Sequence, residues 1–133
     1  MKTFKSILKI IAVIILGLTP FAINAQYYTI SKTVNPVTLC NSSTNTSVNI
    51  DIKCEGECNV IVEYFNNQKQ WSYMATKSSD VYGNVRYTGT GLRLNQNHYY
   101  RVYVYNKNTR VNRYNLSASD FKDIKIYTDK ICR

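Results

Sequence analysis

Apolar and polar residues alternate in short runs along this chain, and the runs are parted by polar turns. Val48, Ile50 and Ile52 alternate with Asn49, Asp51 and Lys53, which is the period of a strand with one buried face. Tyr100, Val102 and Val104 alternate in the same way with Arg101, Tyr103 and Tyr105, and Ile124 and Ile126 with Lys125 and Tyr127. Further strands are predicted over Tyr27 to Val34, Val60 to Phe65 and Trp71 to Ser78. The stretch from Asp80 to Leu94 is predicted as extended but bulged, because Gly83, Gly89 and Gly91 interrupt it. Asn35-Pro36, NSSTNTS, CEGEC, NNQKQ and NKNTRVNRYNLSASD read as the intervening loops. Seven short strands with no amphipathic helix predict an all-β, seven-stranded antiparallel sandwich. Within it, Tyr100 opens its strand six residues after Leu94, a spacing that lets a phenol fold back over a loop to upstream backbone.

The first residues break this pattern. Lys2, Lys5 and Lys9 precede an apolar run from Ile10 to Leu18, followed by Pro20 and small or polar residues up to Ala25, the order of a secretory signal peptide cleaved before Gln26. The run is half of what a bilayer span needs, so no stable membrane anchor is expected. Removing residues 1–25 from the 133 leaves 108, enough for one domain over 26–133, and lowers the net charge from +9 to +6 because three lysines and no acid depart. A modest basic excess on a secreted monomer favours anionic partners or serves solubility.

An oxidising compartment turns the four cysteines, Cys40, Cys54, Cys58 and Cys132, into two expected disulfides. Three pairings are possible in principle. Gly56 at the centre of CEGEC permits a tight turn and favours Cys54 with Cys58, leaving Cys40 for Cys132. Chain entropy assigns about 2 kcal/mol to the small ring and about 4 to 5 kcal/mol to the long one. A four-thiolate zinc site is disfavoured because the spacing is not CxxC, and neither metal nor cofactor is expected.

The segment from Asn59 to Asn106 resembles a fibronectin type III domain. The landmarks are Val62 and Tyr64 in NVIVEY, Trp71 in KQWSYM, YTGTGL at Tyr87 to Leu92, and the Tyr100, Val102, Val104 triplet. Ile52 stands where family members carry a core tryptophan. The resemblance implies that Cys40 and Cys132 meet at one pole of the sandwich, and that Cys54 and Cys58 staple the loop between the second and third strands at the other.

With Tyr100, Val102 and Val104 facing inward, Arg101, Tyr103 and Tyr105 must face outward. Ile61, Glu63 and Phe65 join them, as do Lys125 and Tyr127, in an expected exposed face rich in tyrosine and cations. Phe65, Arg101, Tyr103, Tyr105 and Tyr127 are therefore candidate contacts for an extracellular protein or glycan. Lys107, Arg110 and Arg113, with Tyr114, form a second candidate in the loop 106–115, through which a small cationic effector or inhibitor could act. No nucleic-acid motif is present, so nucleic acid is not an expected partner.

Catalysis has little support: His98 is the sole histidine, no serine sits in a nucleophile motif, and nothing selects the carboxylate pair Glu63 and Asp123. Glu55 and Glu57 lie too near the small ring to flank a substrate, and His98 is expected to cap the turn beside Tyr100. Asn41, Asn45 and Asn115 begin glycosylation sequons in predicted loops. The sequence thus predicts a secreted, non-catalytic binding module.

Overall fold

A computed structural model describes residues 27–35 and 45–129. Among these residues there are seven strands: β1 (Tyr28–Val34), β2 (Asn45–Cys54), β3 (Cys58–Phe65), β4 (Trp71–Ser78), β5 (Asn84–Arg93), β6 (Asn97–Asn106) and β7 (Lys122–Tyr127). They form two antiparallel sheets, ordered β1-β2-β5 and β4-β3-β6-β7. Two short 3-10 turns, Arg113–Asn115 and Ala118–Asp120, lie between β6 and β7. No helix among the described residues is long and apolar enough to cross a membrane.

The alternating residues do what their period requires. Val48, Ile50 and Ile52 from β2 and Val85 and Tyr87 from β5 face Val60, Val62, Tyr100, Val102, Val104, Ile124 and Ile126 from the other sheet in one core. Each buried aliphatic side chain contributes roughly 1.5 to 3 kcal/mol, so the sandwich rests on these inner faces. Ile52 is itself a core residue, so the layer closes at that position without a tryptophan. Gly91, with φ +68, takes up a register shift between Thr46 and Val48 on β2 and its partners on β5, the bulge predicted for this stretch. Residues 80–83 are a turn and not part of the strand.

Tyr100 departs from the expected corner. The strand begins at Asn97, so Tyr100 is its fourth residue, and its ring spans the core between Tyr64 (4.9 Å) and Tyr87 (5.9 Å). Its hydroxyl reaches Gly89 on the opposite sheet, where an added Cβ would lie 2.2 Å away. The turn between β5 and β6 is tied instead by His98, which is buried and bridges the Arg93 carbonyl and the Tyr64 hydroxyl, each at 2.9 Å. A carbonyl only accepts, so Nε2 carries a proton, and in the neutral imidazole Nδ1 then accepts from Tyr64. Thr128, fully buried, donates to the carbonyls of Arg93 and Gln96 and fastens the end of β7 to the same turn.

Cys54 and Cys58 are joined by a disulfide that closes the connection from β2 to β3, and so from one sheet to the other. Cys40 and Cys132, the signal segment 1–25 and Asn41 lie outside the described residues. Asn45 is the first residue of β2 and not a loop residue, because the pairing of β2 with β5 extends to Asn45 and Arg93. Asn115 is exposed in the first 3-10 turn.

Candidate binding surfaces

The outer faces of the two sheets differ in kind. On β1-β2-β5 the outward residues form three polar rows: Thr29, Lys53 and Asn84; Ser31, Asp51 and Arg86; Thr33, Asn49 and Thr88. Arg86 pairs with Asp51 at 2.6 Å and Thr88 donates to Asn49 at 2.8 Å. Aromatic residues are absent from these rows.

On the four-stranded sheet the outward row Tyr73, Glu63, Arg101 and Asp123 runs across all four strands. Glu63 is only 5% exposed, and Ile61 beside it is buried. The face expected to be open is therefore covered at its centre. The physical reason is that the connection from β6 to β7 folds back and places Arg113 on Tyr73 and Glu63 and Phe121 on Arg101 and Tyr103, so burial depends on a loop that strand period cannot locate.

The cover is an ordered stack of rings and cations. The Arg101 guanidinium lies between Trp71 (4.4 Å) and Phe121 (4.2 Å), and that of Arg113 between Tyr73 (4.5 Å) and Tyr114 (4.7 Å). Glu63 joins the two layers, accepting from Arg101 Nε on Oε1 at 2.7 Å and from Arg113 Nη1 on Oε2 at 3.3 Å. A buried carboxylate is tolerated here because both its oxygens meet cations. Arg113 also donates to the Tyr114 hydroxyl at 3.2 Å, and that bond, ahead of Glu63, holds its guanidinium above the ordinary value.

The candidate residues of the sequence fall around this stack unequally. Phe65 packs on Trp71 at 5.1 Å; Tyr103 stacks on Tyr105 at 5.7 Å and touches Phe121 at 6.2 Å. These side chains are half-buried. Burial also pushes the Tyr105 phenol up, an effect opposed by a hydrogen bond with Asn59. Tyr127 shares the face but sits opposite Asn97, eight residues along β6 from Tyr105, or roughly 27 Å at strand rise. A chain of contacts through Trp71 and Phe121 thus links Phe65, Arg101, Tyr103 and Tyr105, and Tyr127 stands apart from Tyr105 at the other end of the face.

In the loop, Lys107 pairs with Glu57 at 3.2 Å and Arg113 with Glu63, whereas Arg110 is exposed and forms no ion pair among the described residues. Sequence reasoning did not place Phe121, Tyr73, Trp71 or Glu63 at the centre of a site. Phe121 shares the parity of Asp123 and Lys125, which was the available signal. Glu63 is held by two arginines, and Arg101 stands between it and Asp123, so the two carboxylates do not form a free pair. No group of three or more metal-ligating side chains occurs among the described residues.

Fold and surface together define an all-β sandwich-like protein with one polar sheet face and one arginine-aromatic face. Compared with family models, curated proteins and solved structures, the chain matches none.

Proposed function

We propose that this protein is a secreted, non-catalytic, fibronectin type III-like binding module that recognises an extracellular protein or glycan through the outer face of its four-stranded sheet. The observation that carries this reading is the rim of the stack. Tyr114 is 83% exposed, Tyr73 is also exposed, and the guanidinium between them is already held by Glu63. Exposed phenols around a fixed arginine offer apolar area and directed donors at little ordering cost, the composition of interface hot spots.

The strand order β1-β2-β5 over β4-β3-β6-β7 supports the family likeness, and the Cys54 to Cys58 disulfide is compatible with an oxidising compartment. The aromatic face is favoured over a cationic effector role for the loop 106–115, because two of that loop's three cations are already compensated by carboxylates.

The test is capture of extracellular partners with the mature protein and with a Tyr73→Ser/Tyr114→Ser variant. These substitutions spare the core, and capture should fall at least about tenfold, the loss of one hot spot. Raising salt should change it little, since binding through an uncompensated basic loop would be screened. Undiminished capture by the variant overturns the face; capture abolished by salt transfers the role to the loop.

A further inference from the structure

At the pole that carries the disulfide, a depression is lined by Tyr27, Thr29, Lys53, Glu55 and Tyr82, with Cys54 among its walls. Tyr27 is 72% exposed and Tyr82 73%, and they come from the residue before β1 and the turn before β5. Two exposed phenols from distant parts of the chain therefore flank one concavity.

The turn carrying Tyr82 is fastened far more firmly than an exposed loop requires. The Asp80 carboxylate accepts from the backbone of Tyr82 and Asn84, both at 2.9 Å, and from the Asn84 side chain at 3.1 Å. These bonds, those of Asn84 foremost, hold its acid strength above that of a free carboxyl. Lys53 Nζ donates to the Tyr82 carbonyl, and Gly83 donates to Asp80 O at 3.1 Å. Gly83 is wedged at φ +86 so close to the disulfide loop that an added Cβ would meet the Cys54 carbonyl at 2.3 Å. On the other side the Tyr27 carbonyl accepts from Glu55 N at 3.2 Å. Both phenols are thus presented on backbone that the disulfide pole holds in place, which removes part of the entropy cost of binding.

We infer that this depression is a second binding site, separate from the sheet face, and that it takes a neutral oligosaccharide. Its chemistry selects that class. Phenol rings present flat apolar surface to the C–H face of a pyranose, while Thr29, Lys53 and Glu55 supply a hydroxyl, a donor and an acceptor for ring hydroxyls. Lys53 and Glu55 cancel in charge, so the site does not share the cationic balance of the whole chain, and a polyanion gains no net attraction there.

The experiment is an NMR titration of the full mature protein with neutral hexasaccharides of glucose, mannose, galactose and N-acetylglucosamine at up to about 10 mM, where a millimolar Kd saturates. Heparin and a tyrosine-free peptide serve as competing classes. Saturable shifts confined to Thr29, Lys53, Glu55 and Tyr82 with at least one neutral sugar are expected. Tyr82→Ala should weaken that binding by tenfold or more. Lys53→Gln, which keeps the strand, should weaken it less, and Tyr114→Ser on the other face should leave it unchanged. The inference is overturned if no neutral hexasaccharide shifts these residues, if Tyr82→Ala binds like the unaltered protein, or if heparin or peptide occupies the depression in preference. Because Tyr114→Ser bears only on the sheet face, failure here leaves the proposed function standing.

Discussion

At the scale of single residues, two contacts decide more than their neighbours. Gly89 admits the Tyr100 hydroxyl to the opposite sheet, and a Cβ there would lie 2.2 Å from the hydroxyl and 3.0 Å from Cζ. The ring is held between Tyr64 and Tyr87 and has nowhere to withdraw. Gly89→Ala should therefore cost about 2 to 3 kcal/mol in denaturant unfolding, and adding Tyr100→Phe should recover part of it by removing the nearest atom. Glu63 is the second. Glu63→Gln takes from Arg101, whose side chain is 15% exposed, the carboxylate it is paired with, and should destabilise by about 3 kcal/mol. A Glu63→Gln/Arg101→Met variant should lose less than the sum of its parts, which a double-mutant cycle by chemical denaturation would read. A loss equal to the sum would show that Glu63 acts through Arg113 and not through Arg101.

Elements were legible where burial follows a two-residue period. The strands containing Val48, Ile50 and Ile52 and Tyr100, Val102 and Val104 present those residues inward as their alternation demands, and the glycine-rich stretch bulges at Gly91. Illegible were the features set by where a loop lands. NKNTRVNRYNLSASD has the composition of a solvated connection, yet it makes two 3-10 turns capped by Asn112 and Ser117 and brings Arg113 onto Tyr73 and Glu63 of the sheet. Charge pairing holds it there, and charge has no period. The turn of β2 into β3 was legible because the five-residue spacing of CEGEC, with Gly56 at its centre, favours Cys54 with Cys58 among the possible pairings. Replacing Cys54 and Cys58 together with Ser should lower stability by about 2 kcal/mol, with further cost from the polar hydroxyls since both positions are buried. An unchanged denaturation midpoint would show that the hydrogen bond Cys54 N donates to the Gly83 carbonyl suffices to hold this loop.

For the molecule as a whole, the tyrosines give a common signature. Burial pushes the phenols of Tyr28, Tyr64, Tyr87 and Tyr100 above their ordinary value of 10.0, Tyr100 furthest, with smaller contributions there from Tyr87 and Tyr64. The native state thus holds protons that the unfolded chain releases above that value. The phenols' contribution to stability should be level below pH 10 and fall as pH rises beyond it, and Tyr100→Phe should flatten the fall in urea midpoints measured across alkaline pH. A profile that Tyr100→Phe leaves unchanged would assign the loss to other groups. The sequence by itself determined which side of each strand is apolar, the two-sheet architecture those sides require, and the small disulfide ring, because each depends on spacing along a few neighbouring residues. Only the tertiary structure decided that Glu63 is enclosed by Arg101 and Arg113, that Tyr127 stands apart from Tyr105, and that Tyr27 and Tyr82 share a depression. Those outcomes depend on strand register and on how loops return across a sheet, and both are set by the sum of long-range contacts.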